Sequence, residues 1–526
     1  MNKKIIITLI FTFSICILFA QKKEINSIKE NELKAHIEFI AGDYMQGRDF
    51  GTEIPGLEIT AEYLKSECLK MGLKTSFQNY SQPLELVSIK IDKENSYLEL
   101  KNKKGESTFK SSEIFSFAGN IQNDTISGKI VFAGYGFHNQ ETGYNDFEGL
   151  ELKDKIVLVM TRNREMAIDK TKKETNTNLE MSKLGRLFLS GAKAVIFIPD
   201  PVNSDHSWIE MAKEYIAQGS WKLKNIQGNS FIGGNIILGN QEIANEILKT
   251  EGKTLAEIQE EINNSGKPNS FEIEDTNVKI LLSKTSETVN AENIIGFVEG
   301  SDEKLKNECI VITAHYDHVG VNSKGEINNG ADDNASGTAA MLEIAEAYSL
   351  MKKKPRRSIV FAWVTAEEKG LLGSEYYTIH PVFPIEKTVT NINLDMVGRV
   401  AETEKSDFPN QEKSLAGFNG VHVISGKQSS ELIQMSKDIC AELDLIPFDD
   451  LSNSFISGSD HFNFYKKGIP VIAFTTGLHE DYHFPGDDVE KINFKKVKRI
   501  ADLTFLVSYK IANQKNRIVV DNPRNN

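Results

Sequence analysis

The chain has 526 residues, of which 40% are hydrophobic and 26% are charged, and its formal net charge at pH 7 is −13. This composition excludes collagen-like, disordered and small disulfide-stapled proteins, and the acidic balance argues against a nucleic-acid binder, which needs a basic surface. One hydrophobic core rarely grows to this size. The length therefore predicts two or more domains, or one domain that carries an insertion.

The N-terminus has the pattern of an export signal. Lys3 and Lys4 precede an apolar run from Ile5 to Ala20, which is 16 residues long and short for a membrane span. We therefore predict a signal peptide at 1–20, a periplasmic or secreted protein, and no stable membrane span after cleavage. An uncleaved anchor is the competing interpretation.

Two different sequence patterns follow along the chain. An amphipathic helix is predicted from Leu57 to Met71, where apolar residues recur every three or four positions before Gly72. Short apolar runs separated by turn residues then extend to about Thr276. The predicted elements in this second stretch are strands at 130–133, 155–160 and 194–198 and a helix at 179–189.

From about Val278 onward, β-branched strands alternate with helical patterns. This alternation is typical of an α/β domain whose largely parallel sheet is covered on both faces. The predicted elements are strands at 309–313, 358–364, 389–394 and 471–474 and helices at 336–350 and 495–508.

Metal-capable side chains follow these strands. Because ligands gather beyond the carboxyl ends of the strands in open α/β sheets, we expect these side chains to meet at one edge. Each side chain taken alone can be explained as a surface histidine, a helix cap or part of an acidic turn. Five metal-capable side chains in equivalent positions rarely arise by coincidence, so together they favour a metal site. The five positions are His315, a carboxylate of the Asp332-Asp333 pair, a carboxylate of the Glu367-Glu368 pair, Asp395 and His483.

Oxygen and imidazole donors without cysteine suit Zn²⁺, with Mn²⁺ and Co²⁺ as substitutes. If one carboxylate bridges, two metals would lie about 3.5–4 Å apart, as in two-metal hydrolases. The other carboxylate of the Glu367-Glu368 pair is then a candidate general base, and Asp317 can hold the ring of His315 in one tautomer.

Six blocks in this order resemble the M28 family of zinc aminopeptidases: HYDHVG, GADDNASG, TAEEKGLLGSEYY, NLDMVGR, SGSDHFNF and DYHFPGD. Residues 36–48 look like that family's opening, and 134–147 resemble the protease-associated domain inserted into many members. The resulting bounds are a signal peptide at 1–20, the N-terminal part of the peptidase domain at 24–120, the inserted domain at 121–276, the catalytic domain at 277–512 and a polar tail at 513–526.

The resemblance implies two zinc ions, with His315 and Asp395 on one ion, Glu368 and His483 on the other, and Asp332 between them. It also implies a mixed, largely parallel eight-stranded sheet flanked by helices, with a β-rich insert.

In the same family pattern, Glu367 is the general base and Asp317 orients His315. His461, His479 and Tyr482 are candidates for the substrate pocket, with loop hydrogen bonding or packing as the alternatives.

The function that follows is an exported metallo-aminopeptidase that removes N-terminal residues from peptides with a free N-terminus. Two alternatives share the fold. One is an aminoacyl cyclotransferase similar to glutaminyl cyclases, which work with one zinc. The other is a non-catalytic receptor or binding protein, for which missing ligands are expected.

Overall fold

The computed structural model describes residues 22–523 except 112–115, 119–123, 170, 174, 176, 203–205, 218, 227–234 and 402–414. The predicted signal peptide and residues 524–526 of the predicted tail lie outside the described residues. Within the described part, no helix is both long and apolar enough to cross a membrane. The chain divides into two compact units, one of Met1–Glu85 with Asn290–Asn526 and the other of Leu86–Val289.

The described residues form the following elements. The strands are β1 Ser81–Ile91, β2 Tyr97–Asn102, β3 Gly105–Lys110, β4 Ser116–Ala118, β5 Asp124–Phe132, β6 His138–Asn139, β7 Tyr144–Asn145, β8 Ile156–Met160, β9 Ala194–Ile198, β10 Ser220–Leu223, β11 Asn235–Leu238, β12 Phe271–Leu282, β13 Lys284–Val298, β14 Cys309–His315, β15 Ser358–Val364, β16 Thr388–Leu394, β17 Gly420–Ile424, β18 Ile446–Phe448 and β19 Val471–Thr475. The helices are α1 Lys22–Ile25, α2 Glu30–Ile40, α3 Gly56–Lys70, α4 Arg164–Ile168, α5 Thr177–Leu189, α6 Ser207–Ala217, α7 Gln241–Ile247, α8 Leu255–Ser265, α9 Gly337–Leu350, α10 Leu372–Ile379, α11 Ser430–Glu442, α12 His461–Lys466 and α13 Phe494–Asn513.

The sheet of the first unit has the order β1-β13-β15-β14-β16-β19-β17-β18, and β10 pairs with residues 86–89 of β1. Strands β15, β14, β16 and β19 are mutually parallel, whereas β13 and β17 run antiparallel to their neighbours β15 and β19. The predicted mixed, largely parallel sheet is confirmed, and the four predicted strands of this region are β14, β15, β16 and β19.

The central strands of this sheet are buried on both faces. Along β14, Ile310 and Ile312 belong to one hydrophobic cluster, whereas Cys309 and Val311 belong to another. Successive side chains of a strand point to opposite faces, so each face of β14 is covered by its own apolar layer. This double coverage explains why the strand is a continuous apolar run rather than an alternating one.

The second unit contains a separate eight-stranded sheet in the order β3-β2-β12-β5-β8-β9-β11-β4. Strands β5, β8, β9 and β11 are parallel, and the outer pairs are antiparallel. The predicted insert at 121–276 lies within this unit, which also takes in 86–120 and 277–289. The unit extends beyond the predicted insert because β2 lies before residue 121 and pairs with β12, a strand that extends to Leu282.

Candidate metal centre

The carboxyl ends of the parallel strands of the first unit gather the predicted ligands. His315 is the last residue of β14, and Glu368 follows β15 by four positions. Asp395 directly follows β16, and His483 lies in the segment after β19. A turn at Ala331–Ser336, just before α9, contributes the remaining carboxylate. The side chains are therefore brought together by the sheet edge, as expected for an open α/β sheet.

One group of potential ligands surrounds His315, whose side chain is 1% exposed. Its Nε2 atom lies 3.3 Å from Asp333 Oδ1 and 3.3 Å from Asp395 Oδ1. Glu367 belongs to the same group, with a carboxylate oxygen within 4.8 Å of the ligand atoms of His315 and Asp395.

A second group surrounds His483. Its Nε2 atom lies 3.2 Å from Asp333 Oδ2 and 3.0 Å from Glu368 Oε2. The other oxygen of Glu368 is 2.9 Å from Nδ1 of the fully buried His318. The two oxygens of Asp333 therefore face two different histidines, and this carboxylate lies between the groups.

The donors and their spacing fit zinc. With zinc–ligand bonds of about 2.0–2.1 Å, the ligand atoms of a tetrahedral site are about 3.3 Å apart. The four contacts of His315 and His483 with carboxylate oxygens measure 3.0–3.3 Å. Imidazole nitrogens and carboxylate oxygens at this spacing form a donor set that zinc can bind.

The bridging position differs from the predicted one. The family pattern predicts Asp332 between the two metals, but its Oδ1 accepts a hydrogen bond from the Gly398 N–H at 2.6 Å, and its Oδ2 lies 3.4 Å from His479 Nε2. The backbone leaves helical geometry at Asp333 (φ −105°, ψ 92°), so neighbouring side chains of this turn diverge. The structure places Asp333, and not Asp332, between the two groups.

Asp317 lies beside His315 but contacts it differently from the prediction. The backbone carbonyl oxygen of Asp317 is 3.1 Å from His315 Nδ1, whereas its carboxylate is 3.8 Å away. That carboxylate accepts hydrogen bonds from the backbone N–H groups of Glu367 and Glu368, at 3.1 and 3.2 Å. Asp317 thus holds both the histidine and the turn that carries the two glutamates.

Asp487 has the same relation to the other acidic turn. Its carboxylate accepts hydrogen bonds from the backbone N–H groups of Asp332 and Asp333 at 3.0–3.1 Å. Because Asp487 comes four residues after His483, one segment supplies a presumed ligand and also fixes the turn of Asp333.

The structure places the three predicted pocket residues in three different environments. The ring of Tyr482 stacks on His483 at a centroid distance of 3.8 Å, so it borders the centre. His479 faces Asp332, as described above. His461 begins α12, and burial lowers its pKa to about 4; the metal-capable groups found among the described residues do not include it.

Two residues at the centre were missed by the sequence reasoning. His318 belongs to the group of His483, and its place in the HYDHVG block is a signal that could have found it. Asp460, next to His461, is fully buried, and burial raises its pKa to about 7, with the charge of His315 acting in the opposite direction. Nothing in its sequence context distinguishes it from an ordinary helix-start aspartate.

Nearby carboxylates raise the pKa values of the two histidines in the metal-free centre. Burial opposes the charge on His483, but Glu368 and Asp333 outweigh it and raise the pKa of the imidazole to about 10. The pKa of His315 is likewise raised, because Asp395 and Glu367 outweigh its burial. The ring of His483 is therefore protonated at neutral pH when no metal is bound.

Zinc binding to the metal-free protein is expected to release protons and to tighten as the pH rises from 6 to 9. Zinc takes the neutral imidazole, so protons compete with it below the raised pKa of His483. Calorimetric titration at pH 7 in two buffers of different ionisation enthalpy measures the protons released. A pH-independent affinity without proton release would contradict this expectation.

Comparisons with known proteins give the family of one part of the chain. Residues 293–508 match Peptidase family M28, so this part of the chain is a family M28 domain and the predicted family is confirmed for it. Aminopeptidase YwaD of Bacillus subtilis (strain 168) is 33% identical over 227 residues, which are 42% of this chain and 44% of that protein. The chain thus spans less than half the length of this curated relative.

Two solved structures share the fold. The aminopeptidase from Aneurinibacillus sp. strain AM-1 superposes with a TM-score of 0.56 at 18% identity, covering 96% of this chain and all of that one. BSAP, a zinc aminopeptidase from Bacillus subtilis, superposes with a TM-score of 0.50 at 20% identity, covering 94% and 98%. These alignments extend over residues of both units.

Proposed function

We propose that this protein is an aminopeptidase that uses two zinc ions. The observation that carries the proposal is Asp333, whose two oxygens each face a separate group of potential ligands. His315, Asp333 and Asp395 would hold one ion, and Asp333, Glu368 and His483 the other. Three protein ligands would leave a coordination position open on each ion, as in catalytic rather than structural zinc sites.

When bound, the ions supply Lewis acidity that polarises the scissile carbonyl group and makes water a stronger acid. Glu367 is the proposed general base, because it is grouped with His315 and Asp395 and is not needed as a ligand. It accepts the proton of the attacking water and returns it to the leaving amine. Burial raises the pKa of Glu367, with Glu368 and Asp460 acting in the same direction, which favours proton uptake.

The carboxylates also account for the preference for a free N-terminus. The charges of Asp460 and Asp395 both act to raise the pKa of Glu367, so three carboxylates lie within electrostatic reach of one another. A positively charged α-amine of a peptide would be attracted to this acidic environment. Peptides with a free N-terminus are therefore the proposed substrates.

The test measures zinc content and free amino acids released from a mixed peptide panel, before and after chelation. We expect two zinc equivalents per chain and release that stops on chelation and returns with zinc. A panel blocked by N-terminal acetylation is the control, and it should yield no free amino acids. Ammonia release from N-terminal glutamine peptides without shortening would instead support the cyclotransferase, and a chain without zinc would support a binding protein.

Two further assignments are proposed at the level of the whole chain. The unit Leu86–Val289 contains the segment that resembles a protease-associated domain, and we propose that it contacts long peptide substrates. Unchanged preference across peptide lengths after its deletion would contradict this role. Export rests on residues 1–20, and an N-terminus at Gln21 in protein recovered outside the cytoplasm would support it.

A further inference from the structure

Arg48 is the largest buried charged group near the metal centre and takes no part in the proposed chemistry. Its side chain is fully buried. It also lies far outside the family match at 293–508, in the short segment Asp43–Arg48 after α2.

The guanidinium group of Arg48 donates to backbone carbonyl groups of the loops that carry ligands. Its Nε donates to the Tyr316 oxygen at 2.9 Å, next to His315. Its Nη1 and Nη2 atoms donate to the oxygens of Asn329 and Gly330, at 2.6 and 2.9 Å, just before the turn of Asp333.

A further bond from Nη1 to the Ile40 oxygen, at 2.9 Å, ties the group to the end of α2. The planar fork of arginine can reach these separate acceptors at once, whereas the ammonium group of a lysine is a single point.

The backbone of the same segment is fitted to the same loops. Gly47 has φ +66°, and a Cβ there would lie 2.3 Å from the Asn328 oxygen. The Gly47 and Arg48 oxygens accept hydrogen bonds from the N–H groups of Gly320 and His318. The segment is therefore packed against both loops without room for a side chain at Gly47.

The positive charge of Arg48 is also offset by nearby carboxylates. Burial lowers its pKa to about 10, while Asp333, Asp487 and Asp317 act in the opposite direction, so the group stays protonated at neutral pH. A buried cation that hydrogen-bonds carbonyl groups is costly unless nearby charge offsets it. The acidic centre provides that charge, and the cation in turn reduces the repulsion among its carboxylates.

We propose that Arg48 is a positioning residue for the metal centre, which holds the loops of His315 and Asp333 in the spacing that zinc requires. The proposal rests on the proposed zinc site and deepens it, because it assigns a role to a segment separated from Asn329 by 281 residues of sequence.

The experiment compares R48K with R357K in the full chain. Arg357 is the matched control, because it is also buried and donates to backbone oxygens of Ile511 and Gln514, but it precedes β15 at the opposite edge of the sheet. Zinc affinity is measured by competition with a chromophoric chelator, and thermal unfolding of the metal-free proteins is measured in parallel.

For R48K we expect zinc binding weaker by about 10- to 100-fold, the usual effect of losing a residue that orients ligands. R357K should bind zinc like the wild type even where it unfolds at a similarly lowered temperature. Equal affinity in R48K and the wild type, or equal losses in both variants, would overturn the proposal. A wild-type chain that binds no zinc would instead overturn the proposed function.

A milder variant covers the case in which R48K does not fold. Asp43 is exposed, and its carboxylate accepts a hydrogen bond from Asn329 Nδ2 at 2.8 Å, so D43A loosens the same segment from the same loop. We expect zinc affinity to fall by about two- to fivefold, as for the loss of one hydrogen bond. An unchanged affinity would contradict the role of the segment.

Discussion

Replacing Glu367 by glutamine is expected to lower kcat by about 100- to 10,000-fold, the usual contribution of a general base, while two zinc ions stay bound. Glutamine keeps the size of the side chain and cannot accept the proton of the attacking water. The residue is grouped with His315 and Asp395 but is not among the proposed ligands, so metal content should not change. Steady-state kinetics with zinc analysis of the same sample measure both quantities.

The matched control for this variant is E386Q. Glu386 is an exposed carboxylate just before the amino end of β16, away from the sheet edge that gathers the ligands. Its substitution should leave both kcat and zinc content unchanged. A zinc-replete E367Q protein with near wild-type kcat would show that another group takes the proton. Loss of zinc from E367Q would show that Glu367 serves as a ligand.

The second large effect concerns two adjacent aspartates. D333N is expected to weaken zinc binding by more than about 100-fold, beyond the range for residues that only orient ligands, and to abolish peptide hydrolysis. The amide of asparagine offers one oxygen, whereas both oxygens of Asp333 face histidines, at 3.3 and 3.2 Å. Zinc stoichiometry and affinity of the purified variant are the measurements.

D332N is the matched control for D333N, because it makes the same chemical change one residue away. The Oδ1 atom of Asp332 accepts from Gly398 N–H, and an asparagine oxygen can do the same. Two zinc ions and most of the activity should therefore remain. The opposite outcome, with zinc lost in D332N and kept in D333N, would restore the assignment made from the sequence pattern.

Much of the fold could be predicted because it depends on local pattern. The apolar runs of β14, β15, β16 and β19 are continuous in the sequence because both faces of these strands are buried. The placement of His315, Glu368, Asp395 and His483 near one another follows from the rule that strand ends meet at one sheet edge. These four residues do gather there.

The sequence could not decide between Asp332 and Asp333, since both stand in the same block and both are carboxylates. The choice depends on the backbone of the turn Ala331–Ser336 and on the carboxylate of Asp487, which takes the N–H groups of both residues. Side-chain direction in an irregular turn is set by such tertiary hydrogen bonds and not by periodicity.

The sequence by itself thus determined the α/β class, the family of residues 293–508 and the residue types of the metal centre. The tertiary structure alone decided which carboxylate lies between the ligand groups and which backbone groups Asp317 contacts. It also decided that Arg48 hydrogen-bonds the loops that carry His315 and Asp333. The physical reason is that these contacts join backbone carbonyl and amide groups far apart in the chain. Every residue carries such groups, so no side-chain pattern in the sequence marks the ones that are used.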